Sequence, residues 1–290
     1  MPSPSETVTP TLLRGWPLPA PGNDKHSRGN VLVVGGAAAT PGAAMLAGAA
    51  ALRVGAGRLQ LGVAESVAGT VAVAVPEAAV VALSQDAQGT VLGSGVDALG
   101  SALESTDVLL LGPGLDDPEQ TARLVEGAVS LLPKDVPVVL DAYGLGVLPG
   151  LSEVQDALRG RLVLTPNPSE AARLLEVDEI DDFGSAVPRI ADRFGAVVSC
   201  QDVIAAPDGR CWWTSTGSGG LGTSGSGDVL AGAVAGLLAR GADLDQATCW
   251  GTHLHGAAGD RLAARVGPLG YLARELVEQL PLALVELSAG

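Results

Sequence analysis

Residues 30–54 read NVLVVGGAAATPGAAMLAGAAALRV. The apolar run Asn30-Val31-Leu32-Val33-Val34 has the length of a strand and stops at Gly35-Gly36, after which Gly42 to Val54 is rich in Ala and Leu up to Gly55. This predicts a strand, a loop of small residues and a buried helix. The stretch from Gly29 to Ala51 carries no charge and is long enough to raise the question of a membrane span. Gly35-Gly36 and Thr40-Pro41-Gly42 interrupt it, so the strand–loop–helix reading is preferred.

The same order recurs outward from this unit. Strands are predicted at Arg58 to Val63, Val80 to Leu83, Asp107 to Leu111, Val136 to Leu140 and Arg161 to Leu164, with a helix over Pro118 to Leu132. Ala196 to Ser199 adds another strand, and Asp202 to Ala206 with Arg210 to Thr214, joined by Pro207-Asp208-Gly209, reads as a hairpin. Helices follow at about Asp228 to Arg240, Leu244 to Arg265 and Tyr271 to Leu280. Repeated β–loop–α order implies an α/β fold with a mostly parallel sheet covered on both faces. Such folds bind ligands at the carboxyl ends of their strands, and those ends read Gly35-Gly36, Gly112-Pro113-Gly114, Asp141 and Thr165-Pro166-Asn167.

Composition agrees. Hydrophobic residues at 47% against 17% charged exclude general disorder, and 3% aromatic requires an aliphatic core of Ala, Val and Leu. A formal net charge of −15 disfavours nucleic acid and anionic membrane as partners. A small phosphorylated ligand is compatible, because backbone N–H groups at a helix start can hold it. Cys200, Cys211 and Cys249 are odd in number and lack metal or disulfide spacing, which points to a reducing cytoplasm and to packing as small apolar groups. No secretory signal is legible, and residues 1–24 read as an N-terminal arm.

The segment richest in chemistry is Thr216 to Asp228, TGSGGLGTSGSGD, followed at once by an apolar helix. Glycines admit close backbone approach, and the unpaired N–H groups and dipole of the helix start attract an anion. Asp228 in the first turn is placed to act as a base toward a hydroxyl beside that anion hole; a plain helix cap is the alternative. There is no Walker lysine and no G-x-S-x-G elbow, and Gly217-x-Gly219-x-x-Gly222 lacks the βαβ context of a dinucleotide fingerprint. His253 and His255, two apart on a helix, are read as packing or surface residues and not as a shared metal site. His26 is read as solvated, and Trp212 and Trp213 as core or interface packing.

Several ordered segments carry a resemblance. Lys25-His26-x-Arg28-Gly29, Gly35-Gly36, Pro41-Gly42-Ala43, Gly112-Pro113-Gly114-Leu115, Thr165-Pro166-x-Pro168-x-Glu170, Gly225-Ser226-Gly227-Asp228 and His255-Gly256-x-Ala258-Gly259-Asp260 together resemble the ADP-dependent (S)-NAD(P)H-hydrate dehydratases, a branch of the ribokinase-like superfamily. The resemblance runs from about Arg14 to the last residue. It implies one ribokinase-like three-layer αβα sandwich over 1–290, with no separate epimerase domain. The implied activity is that of a hydro-lyase, in which ADP or ATP phosphorylates the ring hydroxyl of NADH or NADPH hydrate and phosphate is then eliminated. Asp228 would be the base and Gly225, Ser226 and Gly227 the cradle for the transferring charge. Ala43, Gly114, Asn167 and Asp228 would contact the hydrate, and Cys200 and Gln201 the nucleotide. Mg²⁺ would accompany the nucleotide through ligands the sequence does not assign, and a homo-oligomer such as a tetramer is implied.

The chain departs from the family pattern at named places. Asn167 and Ser169 stand where His and Gly are usual, and Asp141-Ala142-Tyr143-Gly144-Leu145 lacks the usual second carboxylate. Ser199-Cys200-Gln201-Asp202 has no lysine where the family has one facing the phosphates, and Ser218-Gly219 and Ser224 replace Asn-Pro and Gly. Two other readings therefore share these residues: a small-molecule kinase using the same anion hole on a stable alcohol, and a nucleotide-binding relic without turnover.

Overall fold

A computed structural model of the chain describes residues 6–20, 22–217 and 219–288; Ser218 lies outside the described residues. The strands are β1 (Glu6–Val8), β2 (Asn30–Val34), β3 (Arg58–Ala64), β4 (Ala78–Leu83), β5 (Val108–Leu111), β6 (Val138–Leu140), β7 (Leu162–Leu164), β8 (Ala196–Cys200), β9 (Val203–Ala205) and β10 (Cys211–Thr214). They form one ten-stranded sheet in the order β1-β10-β9-β8-β7-β6-β5-β2-β3-β4. Among the described residues only β9 opposes its neighbours, pairing antiparallel with β8 and β10 as the hairpin predicts.

Period-2 alternation of apolar residues builds the layers. Leu61, Val33, Leu110, Val139, Val163 and Val197 lie in register across the sheet and face one core, packed under Pro41–Arg53, Ser226–Ala239, Leu244–Arg265 and Ala273–Ser288. Their neighbours Val34, Leu111, Leu140, Leu164 and Val198 face the opposite core under Pro118–Leu131 and Phe183–Phe194. The result is the three-layer αβα sandwich expected. Small residues let the helices approach closely: a Cβ on Gly232 would sit 2.0 Å from the Ala47 carbonyl oxygen, and one on Gly236 2.4 Å from that of Ala51. That contact lets a chain with so few aromatic residues bring its helices together backbone to backbone.

The helix boundaries follow local chemistry. Asp117 accepts a hydrogen bond from the Gln120 N–H at 2.8 Å and Pro118 opens the Pro118–Leu131 helix. Three features depart from expectation. A helix, Glu65–Ala74, joins β3 to β4 despite a Gly and β-branched sequence, because burial of Ala68 and Val71 decides it. The stretch read as an arm supplies β1, paired parallel to β10, and the helix Pro10–Gly15, whose Leu13 is buried. Only Val8 of β1 is buried, too weak an alternation to read in advance. The last helix runs through Pro281 to Ser288, past the predicted end.

Candidate active site

Successive connections run β2 to β3 to β4 in one direction, and β5 then returns to the other side of β2. The crevice at this reversal lies beyond the carboxyl ends of β2 and β5, the place an open parallel sheet leaves for a ligand. There the two strand-end loops are laced together. Gly36 N–H donates to Pro113 O and Ala37 N–H to Gly114 O, each at 2.8 Å, and the Thr40 hydroxyl donates to Gly114 O at 2.7 Å. Gly114 has φ +72°, and a Cβ there would meet the Thr40 oxygen at 2.4 Å and the Ala43 Cβ at 3.0 Å. Ala43 and Gly114, predicted from separate segments, are thus brought into contact distance.

The next strand ends gather carboxylates. Asp141 closes β6 and is buried, and Thr165 beyond β7 donates its hydroxyl to Asp141 Oδ1 at 2.9 Å. Burial, then the charges of Asp228 and Glu170, push the Asp141 carboxyl up to about 8. Burial first and Glu170 second push Asp228 up to about 6. Burial also raises Glu170, against the hydrogen bond from the Asn167 backbone and the charge of Arg173. Three acids therefore share one rim, and the proton affinities of Asp141 and Asp228 are pushed apart, the arrangement that assigns acid and base roles. Ala142 beside them has φ 48°, a strained value for a residue with a Cβ. Tyr143 is 42% exposed and starts the short helix Tyr143–Gly146.

Asn167 is held as a cap. Its Oδ1 accepts from the Glu170 N–H at 2.9 Å and from the Ser169 hydroxyl at 2.7 Å, while Glu170 Oε2 accepts from the Asn167 N–H at 2.9 Å. This capping box opens the helix Pro168–Leu175 and leaves Asn167 exposed on the rim.

The glycine-rich segment ends in the helix Ser226–Ala239, which begins two residues before the sequence predicts and makes Asp228 its third residue. Gly225, at φ 88°, is the N-cap and offers no side-chain bond. Ser226 N–H bonds to Thr223 O and Val229 N–H to Gly225 O, so the Gly227 and Asp228 amides are first-turn donors without a partner among the described residues. Beside them a cavity of about 630 Å³ is lined by Thr165, Asn167, Gln201, Thr216, Gly227 and His255, among others.

Gln201 faces this cavity at φ 56°. The Cys200 side chain, 1% exposed, is in the core beneath the sheet, and burial pushes its thiol up to about 12. Ser199 and Thr252 hydroxyls meet at 2.9 Å in the wall. His255 was read as packing or surface; it is 8% exposed and its Nε2 lies 2.9 Å from Ser226 Oγ. Asp260 Oδ2 accepts from the Gly217 N–H at 3.0 Å. The roles of Thr165, Ser199, Thr252, His255 and Asp260 were missed because their partners are distant in sequence, as are Asp141 and Asp228, on which the charge of Glu170 acts; the segments holding Thr165, Glu170, His255 and Asp260 were visible as motifs.

Residues 31–282 match the model of the NAD(P)H-hydrate dehydratase family. The chain belongs to that family. It is 43% identical over 290 residues to the ADP-dependent (S)-NAD(P)H-hydrate dehydratase of Xanthomonas campestris, covering 98% of both chains. It is 38% identical over 266 residues to the bifunctional NAD(P)H-hydrate repair enzyme of Moorella thermoacetica, covering 89% of this chain and 50% of that one. The ADP/ATP-dependent NAD(P)H-hydrate dehydratase of Bacillus subtilis, co-crystallised with ATP and Mg²⁺, superposes with TM-score 0.80 at 28% identity, over 98% and 99% of the two chains. Arabidopsis thaliana ribokinase shares the fold, at TM-score 0.53 and 14% identity over 87% of this chain and 98% of that one. In this dehydratase-family chain the crevice with Ala43 and Gly114 and the glycine-rich start of the Ser226–Ala239 helix lie along one rim of the sheet, with Asp141, Glu170 and Asp228 on the same rim.

Proposed function

We propose that the chain is an ADP- or ATP-dependent (S)-NAD(P)H-hydrate dehydratase, a hydro-lyase that returns hydrated NADH and NADPH to the reduced cofactors. Asp228 carries this reading: its carboxyl, at about 6, is mostly ionised at neutral pH and stands in the first turn of a helix whose amides are open to an anion. Asp228 takes the proton of the ring hydroxyl, and the oxygen attacks the terminal phosphorus of the nucleotide while the Gly227 and Asp228 amides steady the phosphoryl oxygens; the Ser226 amide of the expected cradle is instead bonded to Thr223 O. The ring nitrogen lone pair then expels phosphate, and loss of the neighbouring ring proton restores the dihydronicotinamide. Asp141, at about 8, stays protonated at neutral pH and adds no second negative charge beside the base.

Ala43, Gly114 and Asn167 line the hydrate side, and Gln201 with the Cys200 backbone the nucleotide side. With Asp228 kept as the base and Glu170 tied into the capping box, Mg²⁺ would be held by the nucleotide's phosphate oxygens and water. No group of three or more His, Cys, Asp or Glu side chains among the described residues could hold a metal alone, which suits an ion carried mainly by phosphates and water. When bound, Mg²⁺ neutralises phosphate charge.

The continuous sheet supports treating 1–290 as one domain. The free cysteines support a reducing cytoplasmic setting, and we expect a homo-oligomer. No helix among the described residues is long and apolar enough to cross a membrane.

The test is recovery of NADH absorbance from purified NADH hydrate with Mg²⁺ and ADP or ATP, with released phosphate followed in parallel. Asp228→Asn should lower the rate by at least about 100-fold, the scale of lost general-base catalysis. No recovery by the parent chain with either nucleotide, or accumulation of a phosphorylated product, would overturn the reading.

A further inference from the structure

The helix Ser226–Ala239 presents its amides without a cap of its own, so something else must fix its first turn. The helix Leu244–Arg265 lies directly beneath the glycine-rich segment and touches it at four consecutive points of one face. His255 Nε2 meets Ser226 Oγ at 2.9 Å, and Asp260 Oδ2 accepts from the Gly217 N–H at 3.0 Å. Between them two glycines bring the loop onto the helix surface. A Cβ on Gly256 would lie 2.5 Å from Thr216 Oγ1, and one on Gly259 2.7 Å from Leu221 Cδ2. Positions 255, 256, 259 and 260 fall on one face at helical spacing. Ser226 is 4% exposed and His255 8%, so this bond is shielded from water, where a hydrogen bond is geometrically demanding.

We propose that His255 and Asp260 are positioning residues for the nucleotide cradle, clamping its two ends so that the Gly227 and Asp228 amides and the Asp228 carboxylate share one fixed geometry. His255 acts through Ser226 at the end next to the base. Asp260 acts through Gly217 at the entry of the loop. Each acts through the loop group it holds. Burial keeps the His255 imidazole neutral by pushing it down to about 4, so across physiological pH it pairs with Ser226 and does not add a cation. The proposal rests on the dehydratase reading for its kinetic readout, and on nucleotide binding alone for its second readout.

The test compares Ser226→Ala, His255→Ala and their double variant, and separately Asp260→Ala against Asp260→Asn. Steady-state kinetics with NADH hydrate would be read beside calorimetric binding of Mg-ADP and thermal unfolding of the same samples. Each alanine variant should lose about 10- to 100-fold in kcat/KM for ADP, through both KM for ADP and kcat, with KM for the hydrate unchanged. The Ser226/His255 double variant should be no worse than the poorer single one, because both remove the same bond. Asp260→Asn keeps an oxygen acceptor for Gly217 and should stay near parental activity. Multiplicative losses in the double variant, or parental kinetics and ADP affinity in folded Ser226→Ala and Asp260→Ala, would overturn the proposal. If His255→Ala does not fold, Ser226→Ala and the Asp260 pair decide alone. A parental chain that binds ADP but does not act on the hydrate refutes the dehydratase reading, while ADP affinities still decide the clamp.

Discussion

Glu170 is the residue whose change separates electrostatics from architecture at the proposed base. It serves the capping box through its carboxyl and raises Asp228 through its charge. Glutamine fills the same capping role without the charge, so Glu170→Gln should preserve the helix start. Asp228 rises from 3.8 to about 6, with burial the larger cause and Glu170 the second. Glu170 therefore accounts for less than half of the shift, at most about 1 unit or ~1.4 kcal/mol. Removing it should move the acid limb of kcat/KM from near 6 toward 5. At pH 5.5 the ionised fraction of the base would climb from about one quarter to as much as three quarters, a gain of up to about threefold in rate relative to the plateau. The assay is NADH recovery from the hydrate at saturating Mg-ADP over pH 4.5 to 8. An acid limb that stays in place, or moves upward, would refute the charge argument.

Asp141→Asn should stabilise the protein increasingly as pH rises. The folded carboxyl sits at about 8 against an ordinary 3.8, so the folded state keeps a proton that the unfolded chain releases. The contribution is complete below about pH 4 and lost as pH climbs through 8, a penalty of about 3–5 kcal/mol by pH 8 that asparagine avoids. Urea unfolding at pH 5 and 8 checks this, and an equal gap between variant and parent at both pH values refutes it. Gly232→Ala should destabilise by about 3 kcal/mol, because its methyl would meet the Ala47 carbonyl and one helix must give way. Chemical denaturation of that variant matching the parent would show that the two helices have slack.

Much of the fold was legible because burial on both faces gives β2, β5, β6 and β7 continuous apolar runs, ended sharply by Gly after β2 and β5, by Asp141 after β6 and by Thr165-Pro166 after β7. The Leu244–Arg265 helix was found at its observed ends, whereas Ser226–Ala239 starts earlier than its apolar run because Ser226 and Gly227 are helical without looking so. At the candidate site, motifs singled out Asp228, Ala43, Gly114 and Asn167, which the fold places on one rim. They did not locate what couples these residues. The proton affinity of Asp141 depends on burial and on charges 29 and 87 positions away, and the hydrogen bond of His255 to Ser226 spans 29 positions; neither has a local periodicity to betray it. Cys200 packs as its residue type suggests, since strand alternation turns its side chain into the core while the adjacent Gln201 faces the cavity.

The contact of the helices Pro41–Arg53 and Ser226–Ala239 through Gly232 and Gly236 is made by backbone against backbone. The first of these helices carries Ala43 near its start, the second Asp228 near its own. Backbone contact has no rotamers to exchange, so it fixes the separation of the two helix starts, which under the proposed mechanism is a gauge between hydrate and phosphoryl donor. A methyl added at position 232 would reset that gauge from inside the core, and the two reactants could then each bind well while meeting at the wrong distance.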